Sequence, residues 1–144
     1  MKRTLAILII LFLIIIFSSY ALKINKESDI RALKKYNLEY ESYLNKEIFG
    51  TDLATLINKT VTLNETNNVE KDEHKHYIEN EEDSIKIEIK VTLTDKTYEM
   101  EEFYNNDTAE FVKYFDLEKF KCVKLEYHEK TGKISKLVFE QIEK

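Results

Sequence analysis

The chain has no proline, no tryptophan, two glycines and one cysteine among its 144 residues. Average usage would supply about seven prolines and about ten glycines. Phosphate-cradling loops, dinucleotide fingerprints and the strained nucleophile turn of hydrolases all need clustered glycines. Gly50 and Gly132 stand alone, which excludes those three classes. Cys122 has no partner for an intrachain disulfide, so the fold must rest on its hydrophobic core. An excess of basic residues is also lacking, with 22 Lys and Arg against 27 Asp and Glu. Without Lys2 and Arg3 the remainder carries 20 against 27, a formal charge near −7. Such a module lacks the basic surface that nucleic acid requires, so no nucleic-acid partner is expected. Anionic lipid would also repel it unless its charge is segregated.

One feature is present in excess. Residues 5–17 form an unbroken apolar run directly behind Met1-Lys2-Arg3-Thr4. A signal peptide has a basic start, about 7–15 apolar residues and a small-x-small cleavage site; Ser19-Tyr20-Ala21 supplies the last of these. A signal anchor needs about 17–25 mostly apolar residues, and residues 5–22 meet the lower bound. The expectation is a retained anchor over 1–22, the alternative being cleavage near Ala21, with membrane as the first partner. Lys23, Lys26, Arg31, Lys34 and Lys35 follow the segment, so a bare charge count favours a domain inside the cell. Long downstream domains nevertheless translocate largely regardless of charge, and the arrangement reads as an export signal. The domain at 23–144 is therefore expected outside the cytoplasm. An exported domain without disulfides fits a bacterial envelope better than a small secreted scaffold, and the heavy use of Lys, Asn, Ile, Glu and Tyr fits an AT-rich genome. The sequons at Asn58, Asn64 and Asn106 then carry no meaning.

Hydrophobic periodicity predicts the elements. Ile30, Leu33, Tyr40, Leu44 and Ile48 recur at helical spacing over 27–48, with Asn37 interrupting the stripe. Gly50 is the expected C-terminal stop of that helix, and Thr51 or Asp52 the cap of a second helix over about 52–64 with Leu53, Leu56, Ile57 and Val61 inward. Residues 65–75 are polar and read as a loop. Ile85, Ile87, Ile89, Val91 and Leu93 alternate with polar residues, the pattern of a strand with one face in the core. Short strands are expected at 76–79 and 97–104. Asn106 or Asp107 caps a third helix over about 108–115, with Phe111, Val112 and Phe115 inward. A strand over 120–128 turns Val123, Leu125 and Tyr127 to one face. Gly132 takes the left-handed position of a turn, and a last strand covers 133–142 with Leu137 and Phe139 inward. Helices followed by strands predict an α+β fold, α-α-β-β-β-α-β-β, with an antiparallel sheet of about five strands.

Candidate chemistry is sparse. His74 and His76 form a His-x-His half-site, and His128 is the third histidine, but no recognisable spacing completes a metal site. Cys122 lacks a sequence signature for a depressed pKa. Glu79, Glu81, Glu82, Asp83, Glu99, Glu101 and Glu102 read as a solvated surface rather than an acid–base pair. No cofactor and no catalytic residue are expected. Tyr36, Tyr40 and Tyr43 lie together on the first helix and form the candidate partner surface, because tyrosine combines apolar area with a polar tip; packing against the chain's own sheet is the competing role.

The stretches Lys46-Glu47-Ile48-Phe49-Gly50-Thr51-Asp52-Leu53-Ala54-Thr55-Leu56-Ile57-Asn58-Lys59 and Phe120 through Lys133 resemble a group of small, uncharacterised membrane-anchored proteins of low-GC Gram-positive bacteria. That resemblance implies location and architecture only. A looser, architectural likeness is to pilin-like subunits, in which an apolar helix runs into a helix packed on an antiparallel sheet; the Gly-Phe-Thr-Leu-x-Glu type of processing site is missing here. The expectation is a membrane-anchored envelope interaction or structural module, engaging a protein partner or forming a homo-oligomer. An envelope hydrolase or metal-binding protein using His74, His76 or His128 is the first alternative, and a pilin-like filament subunit the second.

Overall fold

The computed structural model describes residues 2–105 and 108–142; the side chains of residues 2–9, Leu93 and Asn105 lie outside the description. The expected caps Asn106 and Asp107 and the inward position of Leu93 therefore fall outside the described residues. The chain divides into two compact units, residues 1–35 and 36–144. The architecture is α+β: a long N-terminal helix, a shorter helix, and a five-strand sheet with helix inserted between its strands.

In the first unit the chain is helical, within α1 (Lys2–Glu41). The Ser19 hydroxyl donates to the Ile15 carbonyl at 2.8 Å, so this polar side chain is satisfied inside its own helix. Arg31 and Glu27 make an exposed i,i+4 pair at 3.6 Å, worth a few tenths of a kcal/mol.

In the second unit the last turns of α1 lead into β1 (Glu47–Phe49) and α2 (Gly50–Thr66). After a long connection come β2 (Lys86–Val91), a 3₁₀ turn at Thr92–Thr94, β3 (Lys96–Glu99), α3 (Met100–Asn105), α4 (Thr108–Phe115), β4 (Lys119–Tyr127) and β5 (Ile134–Gln141). The sheet order is β1-β4-β5-β2-β3. β1–β4, β4–β5 and β2–β3 are antiparallel, while β2 and β5 run parallel with Ile87 opposite Leu137 and Ile89 opposite Phe139. The sheet is thus mixed. A crossover through β3, α3, α4 and β4 separates β2 from β5, and side-chain alternation does not reveal strand direction. One sheet face carries Ile87, Ile89, Val91, Phe120, Cys122, Leu137 and Phe139, all buried, and packs with Leu53, Ile57 and Val61 of α2. The other face carries Lys86, Glu88, Lys90, Lys136 and Glu140, laced by Lys86–Glu99 (3.4 Å), Lys90–Glu140 (3.5 Å) and Lys136–Glu88 (3.8 Å). Pairs of this kind contribute at most about 1 kcal/mol each; their effect is to keep the open face wet and unattractive to further strands.

Several expected boundaries move, each for a local reason. The first helix stops at Glu41, not 48, because Asn45 takes the left-handed conformation (φ 61°) and its N–H donates to the Cys122 carbonyl at 2.8 Å. Asparagine tolerates that region, and β4 then captures 47–49 as a strand, so Ile48 is buried from a strand rather than a helix. Gly50 is not a helix stop. It opens α2, whose N-cap is Phe49, and neither Thr51 nor Asp52 caps it. Glycine is required there for close approach: a Cβ would lie 2.7 Å from the Phe115 carbonyl carbon and closer still to its oxygen. α2 ends in a Schellman motif, with Asn68 at φ 55°, its N–H on Glu65 O and the Val69 N–H on Asn64 O at 2.9 Å.

The segment 76–79 makes only an isolated bridge, Lys71 to Tyr77, instead of a strand. The expected strand 97–104 ends at Glu99 and becomes α3, because the Glu102 carboxylate reaches back to the Glu99 N–H at 3.0 Å, the returning half of a capping box. In β4 the register shifts between Cys122 and Lys124 and again between Glu126 and Tyr127, so Val123 and Tyr127 are exposed (39% and 47%) while Phe120 and Cys122 are buried and Leu125 packs against the core as expected. Leu137 and Phe139 of β5 are inward as expected, and Gly132 is left-handed (φ 68°).

Gly50→Ala is expected to destabilise the protein by about 1–3 kcal/mol, the usual cost of forcing extra volume into packed structure. Urea denaturation followed by circular dichroism measures it; an unchanged midpoint would show that Phe115 moves freely.

Candidate functional site

The site assembles from the short strand and two helices inserted between β2 and β4. β3 contributes Tyr98, α3 contributes Glu102 and Phe103, and α4 contributes Glu110, Phe111, Tyr114 and Phe115. Together they line a cleft of about 210 Å³. Its aromatic rings form a continuous ladder: Tyr98–Phe103 at 5.2 Å, Phe103–Phe111 at 4.5 Å and Phe111–Phe115 at 4.9 Å between centroids, all tilted. Such tilted pairs add about 0.5–1.5 kcal/mol each beyond the area they bury. Phe120 of β4 stands behind them, 6.0 Å from both Phe111 and Phe115, and anchors the ladder to the core at 0% exposure. Helical spacing explains the division of labour on α4. Phe111 and Phe115 are four apart and face inward, whereas Glu110 and Tyr114, also four apart, face out. Tyr114 is 64% exposed and has Lys113 Nζ at 5.7 Å from its ring centroid.

Behind the cleft, Glu101 is buried at 2% exposure, so it does not belong to the solvated carboxylates expected from sequence. Its Oε1 accepts the Tyr77 N–H at 3.1 Å, fastening the irregular segment before β2 to α3, and its Oε2 has no hydrogen-bond partner among the described residues.

A second, larger and polar cleft of about 630 Å³ lies between the β4–β5 turn and the segment 79–81, lined by Glu79, Glu81, Glu126 and Glu129 with Tyr127, His128 and Ser135. His128 is buried, and its Nε2 donates to the Ser84 carbonyl at 2.7 Å. Its backbone closes the turn through the Lys133 carbonyl and the Gly132 N–H. The ring is thus committed to holding the turn against the segment that leads into β2.

The structure separates the other sequence candidates. His76 Nδ1 sits 3.0 Å from Glu99 Oε2 at β3, whereas the His128 ring is engaged by the Ser84 carbonyl. The Asp72 carboxylate accepts the backbone N–H groups of His76 and His74, both at 2.8 Å, and those bonds hold it below the usual carboxylate range. Among the described residues no three His, Cys, Asp or Glu side chains are grouped so as to hold a metal. Tyr40 is 1% exposed and lies in the core, and Tyr36 and Tyr43 are half-buried against it, so Tyr40 forms no part of an exposed strip. The Tyr36 hydroxyl donates to Ile134 O at 3.3 Å, and the Tyr43 ring meets Phe139 edge-on at 6.4 Å. Burial pushes the Tyr36 hydroxyl far above its ordinary value, helped by Tyr40 and Asp83, and burial likewise raises Tyr40. Cys122 is fully buried; burial pushes its thiol up to about 11, against weaker opposing bonds to the Lys124 and Val138 backbone. A thiol so placed is a poor nucleophile at neutral pH.

No family model, curated protein or solved structure matches this chain.

The residues that sequence reasoning missed are Tyr98, Phe103 and Tyr114. A signal existed: seven of the chain's aromatics fall between residues 98 and 120. Reading 97–104 as a strand placed Tyr98 and Phe103 at strand spacing rather than on a turn into a helix, which hid their convergence with α4.

Cys122 sets a testable pH dependence. Its folded pKa lies above the ordinary thiol value of 9.0, so the folded state holds the proton longer than the unfolded chain. The stability it contributes is complete below pH 9 and is lost as pH rises from about 9 to about 11. The buried tyrosines shift in the same direction and deepen the loss at higher pH. Urea midpoints are expected to fall steadily across this window, and Cys122→Ala to flatten its lower part. Iodoacetamide at pH 8 should label the native protein far more slowly than the urea-unfolded one.

Proposed function

We propose that this chain is a membrane-tethered binding module of the cell envelope, its N-terminal helix inserted in lipid and residues 36–144 presented outside the cytoplasm. The observation that carries the reading is the run from Ile10 to Phe17. All eight side chains are large and apolar, and all are 46–70% exposed. They cover more than two helical turns, so the apolar surface encircles α1 rather than forming a stripe. A helix apolar all round needs a membrane or a protein core around it, and these eight side chains stand exposed among the described residues. Among the described residues no helix is long and apolar enough to cross a membrane. The reading therefore draws also on Leu5–Ile9, which continue the apolar run toward Lys2 and Arg3 but whose side chains lie outside the description.

Binding rather than catalysis is the role the site favours. The aromatic cleft offers apolar faces beside two carboxylates and, among the described residues, no nucleophile–base pair. The two groups best suited to chemistry, Cys122 and His128, are buried and engaged by backbone carbonyls.

The reading makes two checkable statements. The full chain is expected to stay in the membrane pellet after alkaline carbonate extraction, and a chain lacking residues 1–22 to move to the soluble fraction. External protease on intact cells should digest a C-terminal epitope. A pellet-free, freely soluble full-length protein would remove the tether, and an epitope protected until lysis would reverse the orientation.

A further inference from the structure

We infer that the aromatic cleft of β3, α3 and α4 receives a lysine or arginine side chain presented by a protein partner. This rests on the reading of residues 36–144 as a binding module and names what that module recognises.

Three observations converge on the ligand's chemistry. The cleft is lined by the aromatic residues Tyr98, Phe103, Phe111, Tyr114 and Phe115 together with the acidic residues Glu102 and Glu110. Aromatic faces attract cations through their quadrupole, and a carboxylate beside them rejects an anion and rewards a cation with N–H donors. The cleft's volume of about 210 Å³ falls below the about 300–1,000 Å³ of pockets that enclose drug-sized ligands. It suits the stem and head of a single long side chain, whose methylenes lie along the rings while the charged head meets the carboxylates. Finally, the unit formed by residues 36–144 holds 15 Lys against 25 Asp and Glu, a formal charge of −10. That field draws basic partners toward it and repels acidic ones.

The chain itself displays such a contact at Tyr114, whose ring centroid lies 5.7 Å from the Lys113 ammonium. A lysine or arginine is favoured over a quaternary ammonium because Glu110 and Glu102 can accept hydrogen bonds that only an N–H-bearing cation supplies. Glu102 already accepts the Glu99 N–H, so its position is fixed by the start of α3 before any ligand arrives. Arginine adds planar stacking on the rings, and both side chains fit the same cleft.

The experiment uses the full chain in detergent micelles. Four blocked pentapeptides, Ala-Ala-X-Ala-Ala with X as lysine, arginine, norleucine or trimethyllysine, are titrated while the tyrosine ring resonances are followed by NMR. Saturable shifts of Tyr98 and Tyr114 with the lysine and arginine peptides, at least fivefold weaker with norleucine, are expected. Glu110→Gln and Tyr114→Ala change exposed side chains, so folding is retained, and each is expected to weaken binding at least threefold. Raising salt should weaken it further. Equal binding by the norleucine peptide would overturn the proposal in favour of a merely apolar groove. Tighter binding by trimethyllysine, unaffected by Glu110→Gln, would overturn it in favour of a quaternary ammonium site. If no peptide binds while cross-linking in intact cells traps a partner on residues outside the cleft, this inference fails and the binding-module reading stands. If no peptide binds and no partner is trapped, both fail.

Discussion

The second unit depends on one buried amide. Asn64, at 0% exposure on α2, donates from Nδ2 to the Ile85 carbonyl at 2.8 Å and accepts the Ile85 N–H on Oδ1 at 2.9 Å. It imitates a strand neighbour one residue before β2 begins, and so joins α2 to the sheet across a connection from residue 67 to 85. Structureless connections longer than about 12–15 residues are uncommon in compact domains, and this one is held by polar closure rather than by regular structure. The Asn80 side-chain oxygen accepts the N–H groups of Glu82, Asp83 and Ser84, and Asn67 donates to Asp83 O at 3.0 Å. Tyr77 is sunk to 2% exposure, with its N–H on Glu101. Each bond adds about 1 kcal/mol net, but an orphaned Ile85 backbone in the core would cost more than any of them adds. The register of β2, and through β2 that of β3 and the cleft, follows from this closure.

Asn37 repeats the device on the other side of the sheet's hairpin. It donates to Gly132 O at 2.8 Å and accepts the Ile134 N–H at 3.1 Å. The residue that broke the apolar stripe of α1 is thus the one that ties its last turns to the start of β5. Nearby, Tyr40 is buried in the core, and Tyr36 and Tyr43 pack against that core while staying partly exposed. On the inserted helices the aromatic ladder reaches the surface in a cleft that Glu102 and Glu110 also line.

The division between charged and aromatic faces follows from composition. A domain with few glycines and no proline must turn on other residues, and Asn45, Asn68, Lys75 and Asp95 do so at positive φ. A domain without disulfides needs a large apolar core, which the five strands and α2 provide. The surplus of aromatic residues between 98 and 120 exceeds what that core absorbs, and the excess emerges as the cleft.

Periodicity in the sequence determined α2, β2, α4, β5 and the α+β class, because each of these elements buries one face on its own spacing, and a buried face leaves a 3.6- or two-residue imprint. The left-handed turn at Gly132 was also legible, from the glycine itself. The bulge at Val123 and the parallel pairing of β2 with β5 were not, since each is set by a partner distant in sequence, the register of β5 and the path of the crossover; the inserted α3 was missed although its start is local, the Glu102 carboxylate on the Glu99 N–H. The candidate cleft belongs to that second group. Its residues are spread over three elements, and only when Phe120 and Phe111 meet in the core do Tyr98, Phe103 and Tyr114 converge, because ring contacts form between surfaces and leave no spacing in the chain that one element alone could betray.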